Sequence, residues 1–344
     1  MKTCVLPDPR FRVSGRRDPK EEKTNLWWSG SGIRFSWSGT TLEADISWNG
    51  STHNPWIGVT VDGAPVCRFP LMPGTHRYPL LAGMDGNSAH VISVVRDSQP
   101  VEGSDAGPIV IEAVHADGEV RLPEARPLLL EFLGDSLTVG EGCLGPQSAG
   151  EWRMIWISVL SAFPALVSEK LDAEMRVIAL GGWGASRSWD NRPENRIGRI
   201  YGQLCAPIPG GEGTIDFPER PADAVVINLG TNDGSAIQRM EGEERAQAEE
   251  LLRHRAVELM QAVRARNPGA AILWAYGLCG KPMESILKGA VDEYLSSGGE
   301  RAAYLSLTPA ASLGSRFHPS REAHRTAARE IAGKLSEMLG SEEK

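Results

Sequence analysis

At 344 residues the chain exceeds what one small core can organise, and two domains is the expectation. Hydrophobic residues at 41% and charged residues at 23% are those of an ordinary globular protein, while a net charge of -8 argues against a nucleic-acid binder, which needs a basic face for phosphates. The N-terminus lacks the apolar run of a signal peptide, and no stretch approaches the roughly 18 apolar residues of a membrane span.

The five cysteines, Cys4, Cys67, Cys143, Cys205 and Cys279, are scattered, odd in number and without CxxC spacing. That is the usage of a reduced, cytoplasmic protein, with no disulfide framework and no zinc site. Residues 1–122 are expected to form an all-β domain. Ile33, Phe35 and Trp37 alternate with polar neighbours, as do Leu42, Ala44, Ile46 and Trp48, and then Ile57, Val59 and Val61 up to the hairpin signal Asp62-Gly63. A period of two buries one face and wets the other. Further strands are expected at 64–69, 90–96 and 108–115, separated by turns such as Asn49-Gly50, Pro73-Gly74 and Asp85-Gly86-Asn87. Many short strands without a helical stretch read as a jelly-roll sandwich. Trp27, Trp28, Trp37, Trp48 and Trp56 fit its core better than a sugar platform, and His53, His76, His90 and His115 lack metal-ligand spacing.

Pro123 to Pro127 reads as a stiff linker, and residues 123–344 then alternate strands with helices. The apolar run Leu128 to Leu133 stops at Gly134-Asp135-Ser136, turn chemistry at a strand end. A helix is expected over 151–171, bent or interrupted by Pro164. Strands follow at 175–180, 222–229, 270–276 and 302–307, and an irregular or helical stretch at 188–204. Helices are expected over 243–266, with Ala248, Leu252, Ala256, Leu259 and Val263 on one face, over 283–295, and over 321–339, with Ala323, Ala327, Ile331 and Leu335 on one face. Five strands alternating with helices imply a parallel sheet covered on both faces, with the loops at the carboxyl ends of the strands gathered on one rim.

Those loops carry Gly134-Asp135-Ser136, then Gly181-Gly182-Trp183-Gly184, then Gly230-Thr231-Asn232-Asp233, and after the last strand Phe317-His318-Pro319. Each alone has an ordinary reading: a turn, a tight bend, a helix cap, a structural histidine. Together they supply a nucleophile, a base and donors for an oxyanion, the inventory of acyl transfer. Asp135 is read as tying down the serine turn and Asp233 as a cap. His254 and His324 are read as structural or solvent-facing. The Gly- and Pro-rich stretch 203–220 is either a lid or a surface loop.

On these blocks the chain resembles the SGNH, or GDSL, hydrolases, and with its N-terminal sandwich it resembles carbohydrate esterase family 2. Segments such as Ile33-Arg34-Phe35-Ser36-Trp37-Ser38-Gly39 and Val61-Asp62-Gly63 extend the likeness over nearly the whole chain. The resemblance implies a three-layer, flavodoxin-like α/β domain and an esterase that removes acetyl groups from sugar hydroxyls. It implies Ser136 as nucleophile, His318 as base, and an oxyanion hole of Ser136, Gly184 (with Gly182 competing) and Asn232; no cofactor or metal is implied. Trp183 and Trp189 are candidate walls for a sugar, and the partner expected is a small acetylated carbohydrate, not nucleic acid or membrane, with oligomeric state left open. One departure stands out: the family places an aspartate near three residues before the histidine, and Gly314-Ser315-Arg316-Phe317 hold no carboxylate. The resemblance then implies a Ser–His dyad whose imidazole is held by a backbone carbonyl, since Glu322 should point away along its helix. A hydrolase of another ester such as a lysophospholipid or thioester, a carbohydrate-binding protein with a decayed site, and an acyltransferase stand as alternatives.

Overall fold

The computed structural model describes residues 1–215 and 219–340. Its contacts group the chain into two units, Met1–Arg126 with Gln203–Pro218, and Pro127–Gly202 with Glu219–Lys344. The expected domain boundary near 122 thus meets a second feature: the chain returns to the first unit after residue 202.

Unit 1 is a β-sandwich. One sheet runs β1 (Lys2–Val5), β10 (Ile109–Ala116), β5 (Thr41–Trp48), β8 (Gly74–Ala82), with β3 (Thr24–Leu26) also on β10. The other runs β11 (Glu119–Arg121), β4 (Gly32–Ser38), β9 (His90–Arg96), β6 (Trp56–Val61), β7 (Ala64–Pro70), with β2 (Arg12–Ser14) on β4. Alternation decides which side chains meet: Phe35 and Trp37 from one sheet pack with Ile46 and Trp48 from the other in a single core. Trp27, Trp28, Trp37 and Trp48 are buried, as packing residues should be, while Arg68 lies 4.3 Å over the half-buried Trp56 ring. The sequence reading missed β8, whose outer face is mostly exposed, so it carries little apolar alternation. His115 is buried, its Nε2 bonded to Asp45 at 2.7 Å and its Nδ1 to Thr3 at 2.9 Å.

Residues 203–215 fasten to unit 1. The Trp28 indole N–H donates to the Leu204 carbonyl (2.6 Å), Arg16 donates to that of Gln203 (3.0 Å), and Cys205 and Ile208 are buried. Asp216, Phe217 and Pro218, part of the stretch considered as a lid, lie outside the described residues.

Unit 2 is an α/β layer fold. Its sheet is parallel, in the order β13 (Ala173–Ala179), β12 (Leu128–Gly134), β14 (Ala224–Asn228), β15 (Ala271–Tyr276), β16 (Ala302–Ser306). The helices are α1 (Ser136–Val139), α2 (Phe163–Lys170), α3 (Ile197–Ile200), α4 (Thr231–Ile237), α5 (Gly242–Arg266), α6 (Glu284–Ser296) and α7 (Arg321–Leu339). α2 packs with α7, and α5 with α6, against the sheet. The expected apolar stripes of α5 and α7 are the buried ones. The helix expected over 151–171 is shorter: two 3-10 turns precede α2, and Pro164 stands in its first turn, where its missing N–H costs nothing. Pro164 therefore starts the helix rather than bending it. β12 lies between β13 and β14, so the chain reverses its winding direction there, and the loops leaving β12 and β14 open a crevice at the carboxyl edge. Among the described residues no helix is long and apolar enough to cross a membrane.

Candidate active site

β12 is buried along nearly its whole length and delivers Ser136 to the rim. Gly134 is required by crowding: a Cβ there would stand 1.8 Å from the Thr138 hydroxyl oxygen. Asp135 caps the short helix that follows, its carboxylate accepting from the Leu137 N–H at 3.0 Å. Ser136 is its first helical residue, so its N–H has no carbonyl one turn back to bond. This leaves a hydroxyl and an unspent backbone donor on the same residue.

His318 arrives from the far end of the chain, just ahead of α7, whose cap is the Ser320 hydroxyl. Its Nε2 stands 2.9 Å from Ser136 Oγ, and its Nδ1 stands 3.0 Å from the Arg316 carbonyl oxygen. A carbonyl only accepts, so the proton of the neutral ring sits on Nδ1 and the lone pair of Nε2 faces the serine O–H. No carboxylate among the described residues bonds Nδ1. The nearest acid lies at the other edge of the ring: Glu141 Oε1 is 3.8 Å from Nε2 and 2.5 Å from Arg316 Nη1.

The asparagine block follows β14. Asn232 stands in the first turn of α4, and its side-chain amide donates to the Trp183 carbonyl (2.8 Å) and to Asp135 Oδ2 (3.1 Å). Asn232 is thereby tied to the two loops flanking the serine. Asp233 does not cap the helix. Its carboxylate collects the N–H groups of Ala185 (2.9 Å), Ser186 (2.7 Å) and Arg187 (3.1 Å) and the Ser186 hydroxyl (2.7 Å), fixing the loop after β13.

The two glycines considered for the oxyanion hole differ in their surroundings. The Gly184 N–H donates to the Asn195 carbonyl at 3.4 Å, and a Cβ at 184 would meet Asp233 Oδ2 at 2.4 Å. The loop closes on Asp233 at Gly184, which leaves no room for a Cβ, and among the described residues the Gly184 N–H makes only this long contact with a carbonyl. Gly182, with φ +83, has no carbonyl partner for its N–H among the described residues. The Trp189 ring covers its α-carbon: a Cβ there would be 3.0 Å from Trp189 Cδ1. Trp189 is 55% exposed beside this loop. Trp183 is half-buried, with Arg199 5.8 Å from its ring centroid.

Electrostatically the floor of the site is acidic. Asp135 is fully buried, and burial pushes its carboxyl up to about 7 against the pull of the Leu137 N–H, with Asp233 and Glu141 adding repulsion. His324, six residues past His318, is also fully buried; burial, with a contribution from His318, pulls it down to about 3, so it is a neutral ring packed on Phe163. His254 is 61% exposed and faces Glu258 at 3.1 Å. Sequence reasoning passed over Glu141 and Arg316. Neither stands in a motif, and they are 175 positions apart.

The model of the GDSL-like lipase/acylhydrolase family matches residues 132–336, and that of the carbohydrate esterase 2 N-terminal domain matches residues 13–119. Among curated proteins, the chain is 24% identical to the cellulase/esterase CelE of Acetivibrio thermocellus over 98% of its own length and 40% of that protein's. It is 25% identical to an acetylxylan esterase/glucomannan deacetylase of Cellvibrio japonicus, over 68% of its own length and 64% of that protein's. The chain thus spans less than two thirds of each of these relatives. Two solved structures share the fold: the acetyl xylan esterase Est2A of the rumen bacterium Butyrivibrio proteoclasticus, with TM-score 0.92, 23% identity and 98% of each chain covered, and a family two carbohydrate esterase of Clostridium thermocellum in complex with cellohexaose, with TM-score 0.84, 22% identity and 96% and 99% covered. With matches that take in the serine, asparagine and histidine loops and most of the sandwich, the chain belongs to the GDSL-like lipase/acylhydrolase family.

Proposed function

We propose that this protein is a serine esterase that removes small acyl groups, acetyl foremost, from sugar hydroxyls. The observation that carries the reading is the contact of His318 Nε2 with Ser136 Oγ at 2.9 Å, with the other ring nitrogen held on a carbonyl. The names of the relatives, an acetylxylan esterase and a glucomannan deacetylase among them, supply the substrate class.

In the acylation step His318 Nε2 takes the Ser136 proton as Oγ attacks the ester carbonyl. The oxyanion is met by the Ser136 N–H, the Gly182 N–H and one N–H of Asn232 turned from its present acceptor. The two backbone donors are fixed before the reaction and need no reorganisation as charge develops, whereas the Asn232 amide first gives up an acceptor. The imidazolium then gives its proton to the departing sugar oxygen. Water repeats the cycle, its proton going to Nε2 as its oxygen attacks the acyl-serine, and acetate leaves with Ser136 restored. Trp189 and Trp183 offer faces for a sugar ring beside this centre. The reading of a carbohydrate-binding protein with a decayed site has less behind it, since the imidazole is assembled on the serine. The scattered placing of the cysteines, without CxxC spacing, supports a reducing, cytoplasmic location.

Acetate release from acetylated mono- and oligosaccharides, followed by mass spectrometry, tests the substrate. Ser136→Ala is expected to lower turnover by about 10⁴- to 10⁶-fold at unchanged melting temperature. Wild-type turnover by that variant would sink the mechanism, and faster turnover of long-chain p-nitrophenyl esters than of the acetate would move the substrate to lipids.

A further inference from the structure

The missing aspartate leaves a physical question: what keeps the Arg316 carbonyl aimed at His318 Nδ1? The loop that carries it is not at rest. Arg316 and Phe317 both stand in the left-handed region, with φ +54 and +60, and neither is glycine. Two successive side-chain-bearing residues do not hold that conformation unless their surroundings impose it. Phe317 gives nothing, being 76% exposed. Backbone bonds clasp the loop at the Ser315 and Arg316 amides, which donate to Gly142 O (3.0 Å) and Ala149 O (2.9 Å). The far side of the loop is tied as well, by the His318 N–H on the Ser315 carbonyl (3.1 Å) and the Gly314 N–H on the His318 carbonyl (2.7 Å). These bonds bracket the loop, and a further restraint acts on Arg316 itself, the residue whose carbonyl meets the imidazole.

That restraint is the Arg316 side chain. It reaches Glu141, whose side chain is 7% exposed and whose Oε1 accepts from Nη1 at 2.5 Å. Glu141 is itself rigidly placed. It follows the left-handed Gly140 cap of α1, and its N–H donates to the Ser136 carbonyl at 2.9 Å. The nucleophile's own turn therefore carries the anchor for the loop that orients the base. We infer that the Glu141–Arg316 pair is the positioning device that does in this chain what the orienting aspartate does elsewhere, acting through the Arg316 carbonyl on His318.

A direct electrostatic role is the competing account, because Glu141 Oε1 is 3.8 Å from His318 Nε2 and would favour an imidazolium. Arg316 stands nearer to that carboxylate than the ring does, so the pair presents little net charge and positioning is its main effect. The inference rests on the esterase reading above, and its test separates the two.

The experiment compares wild type, Glu141→Gln, Arg316→Gln, Arg316→Lys and the Glu141→Gln/Arg316→Gln double variant on p-nitrophenyl acetate, with kcat expressed per site titrated by a fluorophosphonate. Either Gln variant is expected to lose about 10- to 100-fold in kcat, with KM within about two-fold, as misplacement of a base should. Arg316→Lys is expected to recover part of the loss. The double variant should fall no further than the worse single, since both members serve one contact. Nitrogen NMR of the ring, assigned with His318→Gln, supplies a readout independent of turnover: the Nδ1–H tautomer of His318 prevails in wild type and gives way to a mixture in the Gln variants. Unchanged kcat per titrated site in both singles, losses that multiply in the double, or an undisturbed tautomer would each overturn the inference. If Glu141→Gln fails to fold, the partly exposed Arg316 variants carry the test alone. A wild type that hydrolyses no acetyl ester, yet whose ring tautomer responds to these changes, would instead refute the esterase reading and leave the positioning role standing.

Discussion

Unit 1 and unit 2 each bury an aspartate almost completely, and the two are treated in opposite ways. Asp105 in the sandwich is 2% exposed and saturated: Oδ1 accepts the Trp48 indole N–H (2.7 Å), and Oδ2 accepts Arg96 (2.6 Å) and the Val101 N–H (2.9 Å). Asp135 under the rim is 0% exposed and meets only neutral donors, with two acids, Asp233 and Glu141, near enough to repel it. One carboxylate has been given a cation and serves the fold. The other has been denied one and is held near neutrality beside a serine, a histidine and an asparagine. Buried charge that is fully answered reads as architecture, and buried charge left partly unanswered marks chemistry.

Breaking the answered charge should show the larger effect. Asp105→Ala strands the Arg96 guanidinium in the sandwich and is expected to cost about 3–5 kcal/mol of stability, read by denaturant unfolding, with fluorophosphonate labelling of Ser136 unchanged in the folded fraction. A loss under about 1 kcal/mol would mean that water reaches the pair. Asn232→Ala reverses the pattern. It removes a polar group from the rim, and kcat should fall by about 10²- to 10³-fold while the unfolding midpoint moves little.

The pH dependence of stability sharpens the contrast within unit 2. Asp135 holds its proton up to about 7 in the folded chain and releases it in the ordinary carboxylate range when unfolded. Its contribution to stability is therefore lost as pH rises through that interval, by at most about 1.4 kcal/mol per pH unit. His324 is depressed to about 3 in the folded chain, so between there and the ordinary imidazole range the unfolded chain binds the extra proton and stability is lost as pH falls. The two slopes oppose one another through the mildly acidic range. Asp135→Asn is expected to leave a protein that weakens on acidification, and His324→Asn one that weakens on approach to neutrality. Identical pH profiles for wild type and both variants would show that neither group is held as described.

Much of this arrangement was legible in the sequence, for physical reasons. Period-two runs such as Ile33, Phe35, Trp37 and the stripe Ala248, Leu252, Ala256, Leu259, Val263 had to be buried, and they are. That the loops carrying Ser136, Asn232 and His318 would gather was legible because a strand end followed by a turn is a local signal, and such ends on one parallel sheet must share a rim. The letters do not choose between Gly182 and Gly184, because glycine serves close packing and donor exposure alike. Asp233 was misjudged because an acid in the first turn of a helix ordinarily caps it, whereas here a loop from another strand takes the carboxylate. The missing acid and the resemblance pointed to a backbone carbonyl behind His318; that it is the carbonyl of Arg316 was beyond reading, since a main-chain oxygen carries no residue-type signal.

The return of the chain to the sandwich has a consequence for synthesis. Arg16 and the Trp28 indole find their carbonyl partners at Gln203 and Leu204, and the Cys205 thiol lies 3.7 Å from the Trp27 carbonyl. A nascent chain that has left the ribosome only as far as Arg126 carries the sandwich's sheets without these partners. The N-terminal domain must therefore wait, incompletely sealed, while most of another domain's first half is translated. Co-translational folding of this protein cannot proceed strictly from one end to the other, and a fragment ending at 126 should be a poorer folder than its eleven strands suggest.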